Sequence, residues 1–372
     1  MKALWWFSVV VVFAVVGGLR AASAQEGGTF VVRKVENPVF HNNELFRACE
    51  DYHSPRVGLL REKYDLDKVV AGETDEFKRI LLLRHWIKSQ IRIDDDHPTQ
   101  TRGDAFAILD AAKKGGGFHC AHFSIVQHAV LNSFGYVTRR LGCGPGGQGK
   151  GQGGHHGVNE VWVNAFAKWM IIDAKYDIHF EKAGVPLSAL EIRDEVWKDG
   201  GKSVVVAVGR ERKTVELEPG GPWERRCDTY RWCSWETSTN RFTTFPAPLT
   251  STIVMYEDDV FRKNVWYRDG KPMWAYHTPY LITTTRRDWI EWTPNVIASQ
   301  VKVQGGRADV FLKSFTPNFR TFQMKTDDGE WTDCDEHVTP KLEERLNRFT
   351  FRTVNLFGVT GPEHRVEVDR KE

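Results

Sequence analysis

Cys120 has the sequence surroundings of a nucleophile. It follows three glycines and a histidine in "KKGGGFHCAHFSIVQHAVLNSFGY", residues 113–136, and it begins an apolar run. Glycines allow close backbone approach, and the first turn of a helix directs unsatisfied N–H groups toward such a side chain. A helix start stabilises a thiolate, and the same amides could receive the oxyanion of an acyl transfer. A buried structural cysteine is the alternative that this segment leaves open.

A predicted β-hairpin could bring an imidazole beside a carboxylate. The runs "VNEVWV" and "WMIIDA" are typical of strands and are separated by a short connector. A two-residue turn at 164–165 would pair Glu160 with Trp169 and would set His156 level with Asp173. A longer turn would shift this register by a few residues.

Together these groups suit covalent catalysis. A thiolate nucleophile works with an imidazole that takes its proton and with a third polar group that holds the ring. Cys120, His156 and Asp173 supply the three groups. The adjacent His155 leaves the identity of the working imidazole open.

Three predicted helices would position these residues. Apolar residues spaced by three and four predict an amphipathic helix over 75–92, and residues 104–112 predict a second, shorter one. A third helix is expected to begin near Cys120 and to stop at Gly135. Residues 142–157, "GCGPGGQGKGQGGHHG", are predicted to lack regular structure because of their glycines.

The sequence beyond about residue 200 is typical of β-structure. Residues 203–208 are rich in valine, and Asp269-Gly270 indicates a hairpin turn. Strands at sandwich-like spacing are predicted in "ADVFLKSF", "FRTFQMKTDDGEW", "RFTFRTVNLFGVTG" and "HRVEVD". We therefore predict an α+β protein with four parts: a signal peptide at 1–24, a catalytic domain at 25–200, a β-rich extension at 201–295 that could pack on it, and an immunoglobulin-like sandwich at 296–372.

The N-terminus has the features of a secretory signal peptide. Lys2 precedes an apolar run, and Ala22-Ser23-Ala24 provides a small-residue cleavage site. Removing residues 1–24 takes away Lys2 and Arg20, so the 51 basic residues become 49 against 49 acidic ones. A formal charge near zero argues against nucleic acid or an anionic membrane as a partner. We expect a secreted or periplasmic protein with no stable membrane insertion after cleavage, and its oligomeric state stays open.

Six cysteines bear on the redox state of the chain. Export would permit disulfides, and Cys227 and Cys233 are close enough in sequence to close a local loop. A free Cys120 would leave five others, so at least one more cysteine would also have to be unpaired. Sequence alone does not fix the pairing.

Residues from about 77 to 193 resemble the transglutaminase-like superfamily of papain-type thiol enzymes. The matching segments are "LRHWIKSQI", "DAFAILDAAKKGGGFHCAHFSIVQHAVLNSFGYVTRRLG", "HHGVNEVWV" and "KWMIIDAKYDIHF". The resemblance implies a papain-type core and a catalytic triad of Cys120, His156 and Asp173. The C-terminal part resembles the immunoglobulin-like modules of exported bacterial enzymes.

Further residues are expected to support this site or to contact the substrate. Glu160 and Trp169 would stabilise the hairpin, and Tyr176 and His179 would line the cleft. The remaining candidates are the histidines beside the triad, His119, His122 and His155. The glycine-rich segment before His156 is unusual for the superfamily and could act as a lid or contact the substrate.

A metal site is one alternative use of these residues. The histidines 119, 122, 155 and 156 could join Cys120 as nitrogen and sulfur ligands. No tight Cys-x-x-Cys or His-Glu-x-x-His pattern occurs, so we predict no metal and no cofactor.

A polysaccharide-active enzyme is a second alternative, because folds do not dictate reactions. The aromatic and arginine-rich "WERRCDTYRWCSWETSTNRF", residues 223–242, would suit a glycan, although packing between domains explains it too. In a uronate lyase, His156 or Tyr176 would abstract the sugar C5 proton. Hydrolysis of a glycan is a related option.

We predict a thiol enzyme that catalyses acyl transfer or amide and peptide hydrolysis. Its substrate could be a protein, a peptidoglycan peptide or a polysaccharide, which the sequence does not distinguish. Hydrolysis is favoured over cross-linking because no calcium-controlled amine site is indicated. A non-catalytic binding scaffold is a third alternative, which the joint presence of the cysteine, histidine and aspartate disfavours.

Overall fold

The computed structural model describes residues 30–36, 39–46, 49–146, 155–244, 252–265, 267–268, 271–272, 280–343 and 345–371. The predicted signal peptide, the centre of the glycine-rich segment and the Asp269-Gly270 turn lie outside these residues. Among the described helices, none combines the length and apolar character that crossing a membrane requires.

Eight helices lie within the described residues, and three of them are the predicted ones. The helices are α1 (Pro55–Lys63), α2 (Leu66–Val69), α3 (Glu76–Gln90), α4 (Ala105–Lys113), α5 (Cys120–Asn132), α6 (Ala189–Asp199), α7 (Asp259–Asn264) and α8 (Arg287–Ile290). The predictions for 75–92, for 104–112 and for the helix at Cys120 are confirmed by α3, α4 and α5. Asp75 caps α3 by accepting the Lys78 N–H at 2.8 Å. Gly135, at φ +81°, follows the end of α5.

The described strands are numbered in chain order. They are β1 (Phe30–Glu36), β2 (Arg92–Ile93), β3 (Gly117–Phe118), β4 (Thr138–Gly144), β5 (His156–Val163), β6 (Lys168–Ile172), β7 (Ile178–Lys182), β8 (Val185–Pro186), β9 (Val205–Val208), β10 (Lys213–Glu216), β11 (Trp232–Glu236), β12 (Ile253–Tyr256), β13 (Tyr267–Arg268), β14 (Lys271–Pro272), β15 (Leu281–Thr284), β16 (Ile297–Gln304), β17 (Arg307–Ser314), β18 (Phe319–Thr326), β19 (Thr332–Cys334), β20 (His337–Val338), β21 (Asn347–Asn355) and β22 (His364–Arg370). Helices and antiparallel strands thus share the chain, as an α+β protein requires.

A six-stranded sheet carries the hairpin, with the spatial order β15-β12-β11-β4-β5-β6. Residues 142–157 are therefore not irregular at their ends, because Gly142 in β4 pairs with Gly157 in β5. β11 pairs with β4, so the region predicted as a β-rich extension continues this sheet. The remaining small sheets are β10-β9-β7-β8, β13-β14 and β2-β3.

The hairpin register differs from the two-residue-turn prediction. A 3-10 turn at Asn164–Phe166 and a left-handed Ala167 (φ +47°) join β5 to β6. Glu160 consequently pairs with Ile171 and not with Trp169. The shift is by two residues, and an even shift keeps every side chain on its predicted face of the sheet.

The two faces of this sheet pack against different clusters of apolar side chains. On one face, Val161 and Met170 pack with helices α3, α4 and α5. On the other face, Val158 and Ile171 pack with α6 and with residues from β9, β11 and β12. The alternation along β5 and β6 follows the two-residue period of a strand.

The C-terminal region contains two antiparallel sheets that share one apolar cluster. One has the order β1-β22-β21-β18-β19, and the other has the order β16-β17-β20. The four predicted C-terminal strands are confirmed by β17, β18, β21 and β22. β1, in residues that the sequence assigns to the catalytic domain, pairs with β22, the last of the described strands. The immunoglobulin-like assignment and the domain limits stay predictions.

All six cysteines lie within the described residues, and each is a free thiol. Cys227 and Cys233 therefore do not close the local loop that their spacing suggests. Cys227 packs near Gly200, with its Sγ 3.8 Å from the Gly200 carbonyl oxygen. Cys233 in β11 lies opposite Cys143 in the paired strand β4, and both are thiols.

Candidate active site

Cys120 is the first residue of α5, and its position is fixed by the strand that precedes it and by the cap at the start of the helix. The preceding strand β3 pairs in parallel with β2, and the His119 side chain caps the helix by accepting the Ala121 N–H at 3.3 Å. The Cys120 side chain is partly exposed. Its position at a helix N-terminus favours the thiolate, because unpaired backbone N–H groups converge there.

His156 and Asp173 come from the two strands of the hairpin. His156 opens β5, Asp173 directly follows β6, and His156 Nε2 lies 2.7 Å from Asp173 Oδ2. The other carboxylate oxygen accepts the backbone N–H groups of Lys175 at 2.8 Å and of Tyr176 at 3.4 Å. The carboxylate is thereby fixed, and it holds the ring through one nitrogen only.

The Cys120 thiol hydrogen-bonds the His156 ring. Because Nε2 contacts Asp173, the nitrogen available to the thiol is Nδ1. The backbone N–H of Gly157 also bonds the sulfur. Gly157 lies directly against Cys120, and a Cβ there would be in ordinary van der Waals contact, 3.8 Å from Sγ and 3.5 Å from the Ala121 Cα.

The pKa of the Cys120 thiol is lowered and that of the His156 imidazole is raised, and both shifts favour a thiolate–imidazolium ion pair. Burial alone would raise the pKa of Cys120, but the hydrogen bond and charge of His156 bring it below the ordinary thiol value. Burial would lower the pKa of His156, yet attraction to Asp173 and the bonds to Asp173 and Cys120 raise it to about 9. A thiolate beside an imidazolium is the form of a nucleophile with its proton already transferred.

The other three predicted histidines do not join the triad. His155 is exposed, and the contact to Asp173 belongs to His156. His119 caps α5, and its ring packs edge-on against His122 with a centroid distance of 4.3 Å. Burial lowers the pKa of His122 to about 4, so this ring stays neutral in ordinary buffers.

Glu160 and Trp169 lie in the core behind the site. Glu160 accepts hydrogen bonds from Arg139, from the Trp235 indole at 2.7 Å and from the Ala189 N–H at 2.7 Å. These bonds tie β5 to β4, to β11 and to the start of α6. Trp169 is 2% exposed and donates to a backbone carbonyl at 2.7 Å. Both residues are placed to stabilise the sheet and not to contact a substrate.

His179 does not line the cleft, contrary to the prediction. It is fully buried between Arg84 at 2.8 Å and Glu181 at 2.6 Å. Arg84 also binds Asp177, which lies at the turn that follows Asp173. This buried network anchors the segment that carries the catalytic-type aspartate.

Tyr176 and Trp223 border the imidazole. The Tyr176 ring lies 5.7 Å from that of His156, and the Trp223 ring lies 6.1 Å from it. The aromatic residues of the segment 223–242 therefore have two roles. Trp223 borders the site, whereas Trp232 and Trp235 are core residues with exposures of 2% and 0%. Sequence reasoning did not single out Trp223, because nothing in the pattern separates it from its buried neighbours.

Lys175 was also missed by sequence reasoning. Its side chain is 5% exposed, and its ammonium lies 2.7 and 2.8 Å from the two oxygens of Asp95. The charge of Lys175 is among the causes that lower the pKa of Cys120. The only available signal was its position two residues after Asp173.

The metal alternative is not supported by the arrangement of side chains. Within the described ranges, no group of three or more histidine, cysteine, aspartate or glutamate side chains is placed to hold a metal ion. The rings of His119 and His122 pack edge-on against each other, and His119 uses Nδ1 to cap α5.

Comparison with known proteins identifies the core. Residues 66–174 match the model of the transglutaminase-like superfamily, and this segment forms a transglutaminase-like core. The match includes all three triad positions. No curated protein matches the chain.

A solved structure with a similar segment is that of a proposed cysteine protease from Cytophaga hutchinsonii. It has 16% sequence identity and a TM-score of 0.26 over 34% of this chain. The match covers 39% of that protein, so the chain spans well under half of its length.

Proposed function

We propose that this chain is a thiol enzyme that transfers acyl groups or hydrolyses amide bonds through Cys120. The supporting observation is the continuous contact from the Cys120 thiol to the His156 ring and from that ring to Asp173, at 2.7 Å. Both His156 and Asp173 are buried. Water therefore competes little for the contacts that set their charges.

The proposed reaction has two halves. The Cys120 thiolate attacks the substrate carbonyl carbon, and the Cys120 backbone N–H binds the resulting oxyanion. His156 donates its proton to the departing amine, which leaves a thioester on Cys120. His156 then takes a proton from water, which attacks the thioester and releases a carboxylic acid and the Cys120 thiolate beside the imidazolium. Asp173 keeps the ring oriented and stabilises its charged form throughout.

An activated ester tests this reaction without knowledge of the natural substrate. With p-nitrophenyl acetate, the native protein should release p-nitrophenolate, and Cys120→Ala should lower the rate by at least about 10³-fold. Cys49→Ala is the matched control, because Cys49 is an exposed thiol outside the site, and it should keep the native rate. Equal rates for native protein and Cys120→Ala would refute the thiol mechanism.

We also propose export, with the substrate met in the periplasm or outside the cell. Support comes from the sequence of residues 1–24, which ends in a small-residue cleavage site. Edman sequencing of secreted protein should begin at Gln25. Recovery of the intact N-terminus from the cytosol would contradict export.

A uronate lyase is the second candidate, and the aromatic side chains beside the imidazole favour it. Tyr176 and Trp223 both border His156, and Trp faces bind sugar rings. A lyase would form unsaturated products from uronic-acid polymers, which absorb in the ultraviolet. Such activity retained in Cys120→Ala would select this candidate, whereas its absence in the native protein would remove it.

A further inference from the structure

Lys175, which is buried, and the partly buried Tyr176 form a pair that the proposed mechanism does not use. Lys175 is buried, and its ammonium lies 2.7 and 2.8 Å from the two oxygens of Asp95. The same ammonium interacts with the Tyr176 hydroxyl and lies 4.9 Å from the centre of the Tyr176 ring. A buried ammonium is costly unless it is paired in this way.

The contact with Lys175 uses the Tyr176 hydroxyl as an acceptor, so its O–H can still donate a hydrogen bond to another group. An ammonium group only donates, so toward Lys175 the phenol oxygen can only accept. Within the described part of the chain, no acceptor for the Tyr176 O–H is found. Burial, the largest cause, raises the pKa of Tyr176, which keeps the hydroxyl protonated in ordinary buffers.

The backbone fixes the Tyr176 side chain next to the triad. Its N–H bonds the same carboxylate that holds His156, and its ring lies 5.7 Å from the His156 ring. Asp95 lies in the loop that follows β2, and β2 pairs with β3 two residues before Cys120. Tyr176 therefore borders the imidazole, and Lys175 is tied to the loop that follows β2.

We propose that Tyr176, polarised by Lys175, donates its hydroxyl to the carbonyl oxygen of the acyl substrate and is a catalytic residue of this site. The proposal rests on the proposed acyl transfer. It adds a side-chain donor to the Cys120 backbone N–H, so that two groups bind the oxyanion as the carbonyl C=O electrons move to oxygen. No bond to Tyr176 forms, and its proton stays on the phenol.

Two reactions of Cys120 separate this role from a structural one. Acylation by p-nitrophenyl acetate passes through an oxyanion, whereas alkylation by iodoacetamide does not. Tyr176→Phe removes only the hydroxyl. It should slow release of p-nitrophenolate by about 10²- to 10³-fold, the usual effect of losing one oxyanion donor. It should leave the rate and pH profile of Cys120 alkylation unchanged.

Control variants complete the test. Tyr52→Phe, at a partly buried tyrosine against Phe357, should keep native acylation. Lys175→Met should slow acylation less than Tyr176→Phe does, and it provides a second readout if Tyr176→Phe is unstable. Native acylation in Tyr176→Phe, or an equal loss of acylation and alkylation, would overturn the role. Absence of Cys120-dependent acylation in the native protein would instead refute the proposed function.

Discussion

At the residue scale, the triad is a thiol and an imidazole that change each other's charge. The pKa of Cys120 is lowered, mainly by His156 acting against burial, and the pKa of His156 is raised to about 9, by Asp173 acting against burial. Between these two pKa values the thiolate–imidazolium pair is the main form. As pH falls through the lowered thiol pKa, the sulfur becomes protonated, and as pH rises past about 9, the imidazolium loses its proton.

The residue types of the triad could be predicted, but their neighbours could not. Cys120 is recognisable because a helix start after glycines is a local feature, and His156 and Asp173 are recognisable because strand pairing links them. Trp223 borders the imidazole, and Asp95 binds Lys175, through contacts between distant segments, which no local spacing encodes. The same limit applies to His179, whose burial depends on Arg84 in another element.

At the element scale, the connector of the hairpin sets the register. Its length is fixed by the 3-10 turn at Asn164–Phe166, and Glu76 at the start of α3 binds this turn through Asn164 at 2.6 Å and the Ala165 N–H at 3.1 Å. A tertiary contact therefore selects the longer turn. That is why the helices were predictable from spacing alone, whereas the register was not.

Glu76 should make stability depend on pH. Burial raises its pKa from 4.5 to about 7, so the folded protein binds an extra proton in this range. The stability from this group is present below about pH 4.5 and is lost as pH rises through 7. Glu76→Gln keeps an acceptor and removes the titration. Denaturant unfolding should show that, as pH rises from about 4.5 through 7, the free energy of unfolding of the native protein falls by on the order of 1–2 kcal/mol relative to that of Glu76→Gln.

The control for this measurement is Glu62→Gln, at an exposed position on α1. It should reproduce the pH dependence of the native protein. If Glu76→Gln showed the same pH dependence as the native protein and this control, Glu76 would not be the group that titrates.

At the scale of the whole molecule, the first and last described strands meet. β1 pairs with β22, so these two strands lie side by side in the C-terminal sheet. The transglutaminase-like core at 66–174 and the strand-rich C-terminal region were predictable from composition and spacing. The return of β1 to the C-terminal sheet was not, because strand pairing over more than 300 residues leaves no local pattern.

Gly135 joins the core to the C-terminal region and should not tolerate a side chain. Its φ is +81°, and a Cβ there would lie 2.5 Å from the Phe357 Cβ. Gly184 has a similar φ of +77° but open space around it. Gly184→Ala should cost about 1 kcal/mol for the backbone alone, and Gly135→Ala about 2–4 kcal/mol, because overpacking adds to it. Thermal melting should rank the variants in this order, and equal melting temperatures would contradict the contact with Phe357.

The most direct test of the triad is the alkylation rate of Cys120 by iodoacetamide as a function of pH, followed by peptide mass spectrometry. In the native protein the rate should rise with a midpoint below the ordinary thiol pKa of 9.0. In His156→Ala the midpoint should move to higher pH, because burial then acts without the opposing imidazolium. Superimposable curves for the two proteins, or native Cys120 reacting no faster than the exposed Cys49 at neutral pH, would contradict the thiolate–imidazolium pair.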